Sequence, residues 1–303
     1  MQLYPYRVLE VNQIMQRGQV IDWSMQLVDA PEAWKVTKGE GIRVAVLDTG
    51  IDYRHPDLTQ NIEKGINFTS FDRYDYMDWV GHGTHVAGLI AGCDNNIGVI
   101  GVAPRARLVA VKVLGDNGFG SIDAIIKGIE YCISEKVDII SMSLGTQYDP
   151  GPQLRRVIQK AREAGIIIVA ASGNESSFCG WPARYDEVIA VGAIDYKRQK
   201  ASFSNIGPEL DVVAPGVSVL STYPNGKYAR LSGTSMATPI VAGIIALIQT
   251  YARKLGKKLG PGEIMKMLPQ LTLDLGQAGP DPQYGYGMIS LSNLVDKFNE
   301  GLC

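Results

Sequence analysis

An α/β fold is predicted for this chain: three layers, with a largely parallel sheet and helices on both of its faces. Two observations predict it. Near-continuous runs such as Val44-Ala45-Val46-Leu47 and Ile166-Ile167-Ile168-Val169 alternate with helix-like segments. Strands that are apolar on both faces belong to buried parallel sheets, since an open antiparallel sheet keeps one face polar. In addition, an uncharged stretch from Leu231 to Ala252 predicts a helix that is apolar all round, which a surrounding core can bury.

Taken in order, the strands are expected at 42–48, 107–113, 137–142, 166–171, 188–193 and 211–214. Helices are expected at 82–92, 121–135, 151–164, 235–254 and 261–268. The first strand ends on Asp48, and the carboxyl ends of such strands are where open α/β sheets place their sites. The helix at 82–92 follows Gly81-His82-Gly83 and is built of small residues. In the helix at 235–254, Pro239 is expected within the first turn, where a missing N–H costs nothing, so Ser235 stands at the N-terminus. There the helix dipole favours negative charge developing nearby. With 303 residues, 46% apolar and 20% charged, the chain is expected to form one compact α/β domain. A net charge of −2 gives no case for nucleic acid or for an anionic membrane surface. The apolar helix could pass for a membrane span, but its Ser, Thr, Gly, Pro, Gln and Tyr fit a buried central helix better.

Three segments carry chemistry. They are Asp48-Thr49-Gly50, Gly81-His82-Gly83-Thr84-His85 and Gly233-Thr234-Ser235-Met236-Ala237. A serine hydroxyl becomes a good nucleophile when a base takes its proton, and His82 is the candidate base. Asp48 would fix the imidazole tautomer and stabilise the imidazolium. An oxyanion formed on a carbonyl needs preorganised donors, for which the Ser235 N–H and the side chain of Asn174 are the candidates. Other readings are weaker. An aspartic-protease mechanism needs two carboxylates sharing a proton, and the chain has no second Asp-Thr-Gly. His82 and His85 are spaced as metal ligands could be, but there is no HExxH pattern, and His55 is the one other histidine. A protein of this shape held inactive as a binding or regulatory partner is the alternative from a different class.

The order Asp48, His82, Ser235 is the subtilisin order. Together with the blocks VAVLDTGID, HPDL, GHGTHVAG, GVAP, SLG, GNE, VIAVGA, GPELDV and GTSMATP, from about Pro31 to Leu247, the chain resembles the subtilisin family of serine proteases. The resemblance implies an endopeptidase acting on proteins and peptides through an acyl-enzyme. It also implies that Gly118, Gly120, Ser143, Leu144 and Gly145 clamp the substrate backbone as an added strand. Ala171, Gly173 and Gly180 would line a roomy primary pocket with Glu175 at its rim. Leu144, Ile122 and Ile125 would form a second apolar pocket, although core packing explains the isoleucines nearly as well.

Calcium is the cofactor implied, held by the Gln19, Asp57 and Asn95 side chains and the carbonyls of Cys93, Ile97 and Val99. Oxygen donors of this kind suit that ion. A weaker second cation is implied at Ala183, Tyr185, Val188 and Asp211. Residues 1–25 show neither the basic nor the apolar region of a secretory signal, and the first eighteen contain Leu3-Tyr4-Pro5-Tyr6. This is similar to the inhibitory N-terminal extension of intracellular subtilisins, which usually have Ile at the position of Tyr4. The expected organisation is therefore an extension at 1–18 and a catalytic domain at 19–303, whose C-terminal extension begins near 276. The expected setting is the cytoplasm, with Cys93, Cys132, Cys179 and Cys303 as free thiols and Cys179 open to thiol reagents near the cleft. The tail ends in an amphipathic stretch at 291–298; intracellular subtilisins use a C-terminal extension in dimerisation, so the resemblance implies a homodimer. Histidine usually follows the proline in GTSMATP-type segments, whereas Ile240 stands here.

Overall fold

The computed structural model describes residues 1–13, 18–292, 294 and 296. Its first half contains β1 (Arg7–Gln13), α1 (Trp23–Leu27), α2 (Ala30–Ala33), β2 (Arg43–Asp48), β3 (Ile62–Asn67), α3 (His82–Ala91) and β4 (Arg107–Lys112). There follow α4 (Ile122–Ser134), β5 (Ile139–Met142), α5 (Pro152–Glu163), β6 (Ile167–Ala171), β7 (Ile189–Ile194), β8 (Val212–Pro215), β9 (Val219–Tyr223) and β10 (Lys227–Ser232). The chain closes with α6 (Thr234–Lys254), α7 (Pro261–Met267), β11 (Thr272–Leu273) and β12 (Met288–Ile289).

Among the described residues the main sheet has the order β11-β12-β8-β7-β6-β5-β2-β4-β3. Every pairing in it is parallel except β11 on β12. Side chains along β2 show why the strands read as unbroken apolar runs. Val44 and Val46 enter the cluster under α3 and α6, while Ala45 and Leu47 enter the opposite cluster under α4 and α5. Both faces are covered, as the absence of alternation predicted. Helix α4 starts where the Ser121 hydroxyl accepts the Ala124 N–H at 3.0 Å, and α5 starts on Pro152.

The longest helix, α6, is buried along nearly its whole length, and its small residues allow close approach: a Cβ on Gly243 would stand 2.6 Å from Val102. By length and composition it could cross a membrane, yet 94% of that window is buried inside the protein. Pro239 lies in its second turn, not its first. The proline has no N–H for the Ser235 carbonyl, and the Ser143 hydroxyl donates to that carbonyl instead, at 2.9 Å. The tail from 276 to 292 is built into the domain, since β12 extends the sheet beside β8 and Leu291 packs in the main core. Half of the stretch 291–298, like Cys303, falls outside the described residues.

A smaller antiparallel sheet has the order β1-β10-β9. Sequence patterning missed β3, β9 and β10 because their residues are too mixed in polarity to form an apolar run. It missed β1 because the strand forms only against β10.

Candidate active site

Reversal of strand order about β2, which lies between β4 and β5, opens a crevice at the carboxyl ends of the sheet. Asp48 is the last residue of β2, Ser143 to Gly145 follow β5, and Gly173 and Asn174 follow β6. His82 begins α3 and Ser235 is the second residue of α6. All three triad candidates are fully buried.

His82 Nδ1 donates to Asp48 Oδ1 at 2.8 Å, and the Thr49 N–H donates to the same oxygen at 2.7 Å. With its proton on Nδ1, the ring presents a bare Nε2, which is buried and has no partner among the described residues. The Ser235 hydroxyl donates to the Ser143 carbonyl at 3.3 Å. Asn174 is anchored by its oxygen, which accepts from the Thr234 N–H and hydroxyl at 2.8 Å each. That leaves its Nδ2 aimed into the crevice.

The crevice is filled by the first residues of the chain. The Met1 carbonyl accepts from the Gly120 N–H at 3.0 Å, and the Leu3 N–H donates to the Gly118 carbonyl at 3.0 Å. Gln2 exchanges two backbone bonds with Gly145, at 3.0 and 2.9 Å. The Tyr4 ring is 1% exposed, with its hydroxyl set between Gly145 and Gly180. A Cβ on Gly145 would stand 2.0 Å from its hydroxyl, and one on Gly180 2.3 Å, so only glycines leave room for it. Burial pushes the Tyr4 phenol far above its ordinary range, and the Glu175 carboxylate adds to this. The Pro5 carbonyl accepts from Asn174 Nδ2 at 2.8 Å, and the Tyr6 ring packs 4.9 Å from His82.

The sequence profile of the subtilase family matches residues 39–287. The chain belongs to the subtilase family. It is 46% identical to an intracellular serine protease of Paenibacillus polymyxa, aligning 97% of this chain with 91% of that protein. It is 45% identical to the major intracellular serine protease of Bacillus subtilis, covering 90% of this chain and 88% of the relative. Subtilisin E of Bacillus subtilis is 51% identical over 69% of this chain and 56% of its own. This subtilase is a serine endopeptidase, and proteins are its substrates.

Several expected placements need correction or detail. Cys179 is fully buried, and burial, with Glu209 nearby, pushes its thiol up to about 12. A thiol both hidden and protonated does not meet reagents in the cleft. Cys93 and Cys132 are likewise buried and free. Glu175 does sit beside the pocket, but its Oε2 already accepts from Asn174 N, Asn205 Nδ2 and Gln147 Nε2. Leu144 and Ile125 are fully buried in the core beneath the crevice, with Ile122 packed against it; Met1 and Leu3 rest on the same cluster. His85 is not placed as a ligand: its Nε2 donates to the Val219 and Ala229 carbonyls at 3.1 and 3.0 Å, and burial drives its pKa down to about 3.

One residue escaped the sequence reading. Asp78, fully buried, accepts through Oδ1 from the Thr49 hydroxyl and the Val80 and Gly81 N–H groups, all at 2.9 Å. Through Oδ2 it accepts from the Thr84 N–H and hydroxyl at 2.9 and 2.7 Å. Thr49 follows Asp48 and Gly81 precedes His82, so this carboxylate ties the end of β2 to the start of α3. An acidic residue just before a helix was the available signal, but it reads equally as an ordinary cap. Asp78→Asn puts an amide donor against donors. Charged hydrogen bonds of this kind are worth about 1.5–3 kcal/mol, so kcat should fall about tenfold to a hundredfold with KM little changed. A kcat within twofold of the parent would refute the role.

Proposed function

We propose that this subtilase is an intracellular, calcium-stabilised endopeptidase made as a zymogen, with Ser235 as nucleophile, His82 as general base and Asp48 orienting it. Its two long-range relatives carry the word intracellular in their names, and the cytoplasmic setting is taken from them. In the mechanism, His82 Nε2 takes the Ser235 proton as the hydroxyl attacks the scissile carbonyl, and returns it to the departing amine. The Asn174 amide and the Ser235 N–H hold the oxyanion. Gly118, Gly120 and Gly145 align the substrate backbone. Water then completes hydrolysis of the acyl-enzyme by the same proton route.

The observation that carries the zymogen reading is the Pro5 carbonyl on Asn174 while the Tyr4 ring fills the pocket. In a productive substrate, the residue in the pocket presents its own carbonyl to the oxyanion donors. Here pocket and donor are engaged by successive residues, one step out of phase, and Pro5, with its fixed φ, sits at the misfit. Residues 1–18 therefore act as an inhibitory extension of the domain at 19–303. The test is to incubate full-length protein with calcium and a serine-directed fluorophosphonate while following intact mass. Loss of about 18 residues with subsequent labelling of Ser235 is the expected result. No labelling before or after deliberate removal of the extension would refute the reading.

Calcium fits the first loop. The Cys93 and Val99 carbonyls converge on the Gln19 side-chain amide, at 2.5 and 3.1 Å from its nitrogen, and a half-turn of that amide presents oxygen to the same point. Asp57 lies beside them, accepting from Asn95 Nδ2, Val99 N and the Tyr228 hydroxyl at 2.9, 2.8 and 2.9 Å. The Ile97 N–H donates to Asn95 Oδ1 at 3.1 Å and closes the turn. Bound there, the ion would supply a hard charge that pins Gln19, just after the extension, to the loop. At a hundred times its dissociation constant a ligand adds about 2.7 kcal/mol, so for a chain of this length chelation should lower Tm by about 4 °C. A melting curve indifferent to chelator would refute the site. The second site rests on Asp211, whose carboxyl is pushed up to about 7 by burial; its Oδ2 accepts from the Ala190 N–H at 2.8 Å. Of its carbonyls, that of Tyr185 accepts from Val188 N at 2.9 Å. The homodimer is proposed from the resemblance alone.

A further inference from the structure

Lys112 closes β4, in register with Asp48 of β2 on one side and Asn67 of β3 on the other. It is 4% exposed, and among the described residues no other lysine or arginine is buried. Its ammonium donates to the Thr49 carbonyl and, at 2.8 Å, to Asp116 Oδ1. Taking an ammonium out of water is costly, and an apolar side chain of equal length would fill the same place without that cost. Stability alone therefore does not account for a charge here. What the charge grips is the turn after β2. The Thr49 N–H donates to Asp48 Oδ1, and its hydroxyl donates to Asp78 while accepting from the Gly83 N–H at 3.0 Å. Gly50 follows at φ +103°, a residue free to rotate, so the Thr49 carbonyl keeps its direction through the ammonium it meets. Asp116, by contrast, is a surface residue whose side chain is 58% exposed. It belongs to a turn closed by the Gly115 N–H on the Phe119 carbonyl and the Gly118 N–H on the Gly115 carbonyl, at 2.9 Å each. The same turn presents the Gly118 carbonyl to the Leu3 N–H and leads into Gly120, whose N–H holds the Met1 carbonyl. A Cβ on Gly120 would stand 2.1 Å from the Val113 carbonyl, so this part of the clamp is pressed onto the residue after Lys112.

We propose that Lys112 is a positioning residue, which conveys the filling of the substrate clamp, through Asp116, to Asp48. This rests on the reading of Asp48, His82 and Ser235 as the catalytic groups. A chain paired with Gly118 and Gly120 orders the turn between them and so fixes Asp116. Asp116 then holds the ammonium, the ammonium holds the Thr49 carbonyl, and the Thr49 N–H holds the carboxylate that orients His82. With the clamp empty the turn is a surface loop, and an exposed carboxylate grips a lysine only weakly. Length is therefore read at the chemical step as well as in binding. Counting back from Tyr4, Leu3 meets Gly118 and Met1 meets Gly120. A substrate with four residues before the cut bond thus reaches both glycines, and one with a single residue reaches neither.

The test uses full-length protein that has processed itself in calcium, verified by mass. Chromogenic anilides carry one, two or four residues before the cut bond, with the same residue next to it. In the parent, kcat should rise about tenfold from one residue to four while KM falls. In Asp116→Ala the fall in KM should persist, but the rise in kcat should shrink to about twofold. Asp116→Glu, which keeps a carboxylate, should restore it. Lys112→Met should lower kcat on the longest anilide about tenfold. A merely loosened fold would lower kcat at every length and keep the ratio between long and short. A kcat that does not rise with length in the parent, or a ratio in Asp116→Ala equal to the parent's, overturns the inference whether or not Lys112→Met folds. Either result leaves the proteolytic reading intact, because the anilides are still cut. Folded Lys112→Met with the parent's kcat on the longest anilide overturns the inference in the same way. Parent enzyme that has lost its extension yet cuts none of the anilides overturns both.

Discussion

Replacing Asn174 with alanine should lower turnover of the processed enzyme by about 10²–10³ while leaving KM nearly unchanged, the magnitude typical of losing one oxyanion donor. The geometry explains why so small a change should cost so much. Two donors from Thr234 hold the Asn174 oxygen, so the amide cannot turn and its Nδ2 stays fixed toward the crevice. A donor already oriented needs no reorganisation when negative charge develops on the carbonyl oxygen. The same nitrogen holds the Pro5 carbonyl at 2.8 Å, so the substitution also weakens the grip on the extension. One change should therefore slow chemistry and loosen inhibition together. Labelling of the full-length variant by a fluorophosphonate, compared with kcat after deliberate removal of residues 1–18, separates the two effects. A turnover within fivefold of the parent would remove Asn174 from the oxyanion role.

What the sequence could convey depended on range. The apolar runs located β2, β4 and β5 to within two residues, because strands buried on both faces must be apolar throughout. Asp48, His82, Ser235 and Asn174 were legible because each stands at a strand end or helix start flanked by glycine or small residues, a pattern that backbone geometry itself requires. Asp78 was not, since its five partners come from two separated segments, and nothing local distinguishes it from a helix cap. Nor could β1 be read. Arg7 to Gln13 mixes charge and apolar residues without period, and its strand form depends on an edge more than two hundred residues away. The burial of Cys179 was equally non-local: it follows from Leu210, Val213 and Met288 closing over the loop.

On the proposal that residues 1–18 inhibit the enzyme, Tyr4→Ala should make the full-length protein active toward a short peptide before any processing occurs. The ring is 1% exposed and enclosed by glycine backbone, so its removal leaves a cavity the pocket cannot close. Losses of about 3–5 kcal/mol are usual for a buried aromatic cut back to alanine, which loosens the extension by about 10²–10⁴. Tyr4→Phe should behave in the opposite sense. The phenol oxygen is buried with no hydrogen-bond partner among the described residues, so deleting it relieves a desolvated group while keeping the ring. Inhibition in that variant should be at least as tight as in the parent. Pro5→Ala separates docking from protection. With Tyr4 still seated, the extension should bind as before, yet the backbone at residue 5 regains its freedom, and pocket and oxyanion donors can engage one residue in phase. Self-cleavage should then accelerate without any prior rise in peptide hydrolysis. Time courses of intact mass and of chromogenic peptide cleavage, run in parallel on the three proteins, read out both quantities. If Tyr4→Ala remains latent, the pairings of Gln2 with Gly145 and of β1 with β10 hold the extension by themselves, and the pocket is not the anchor.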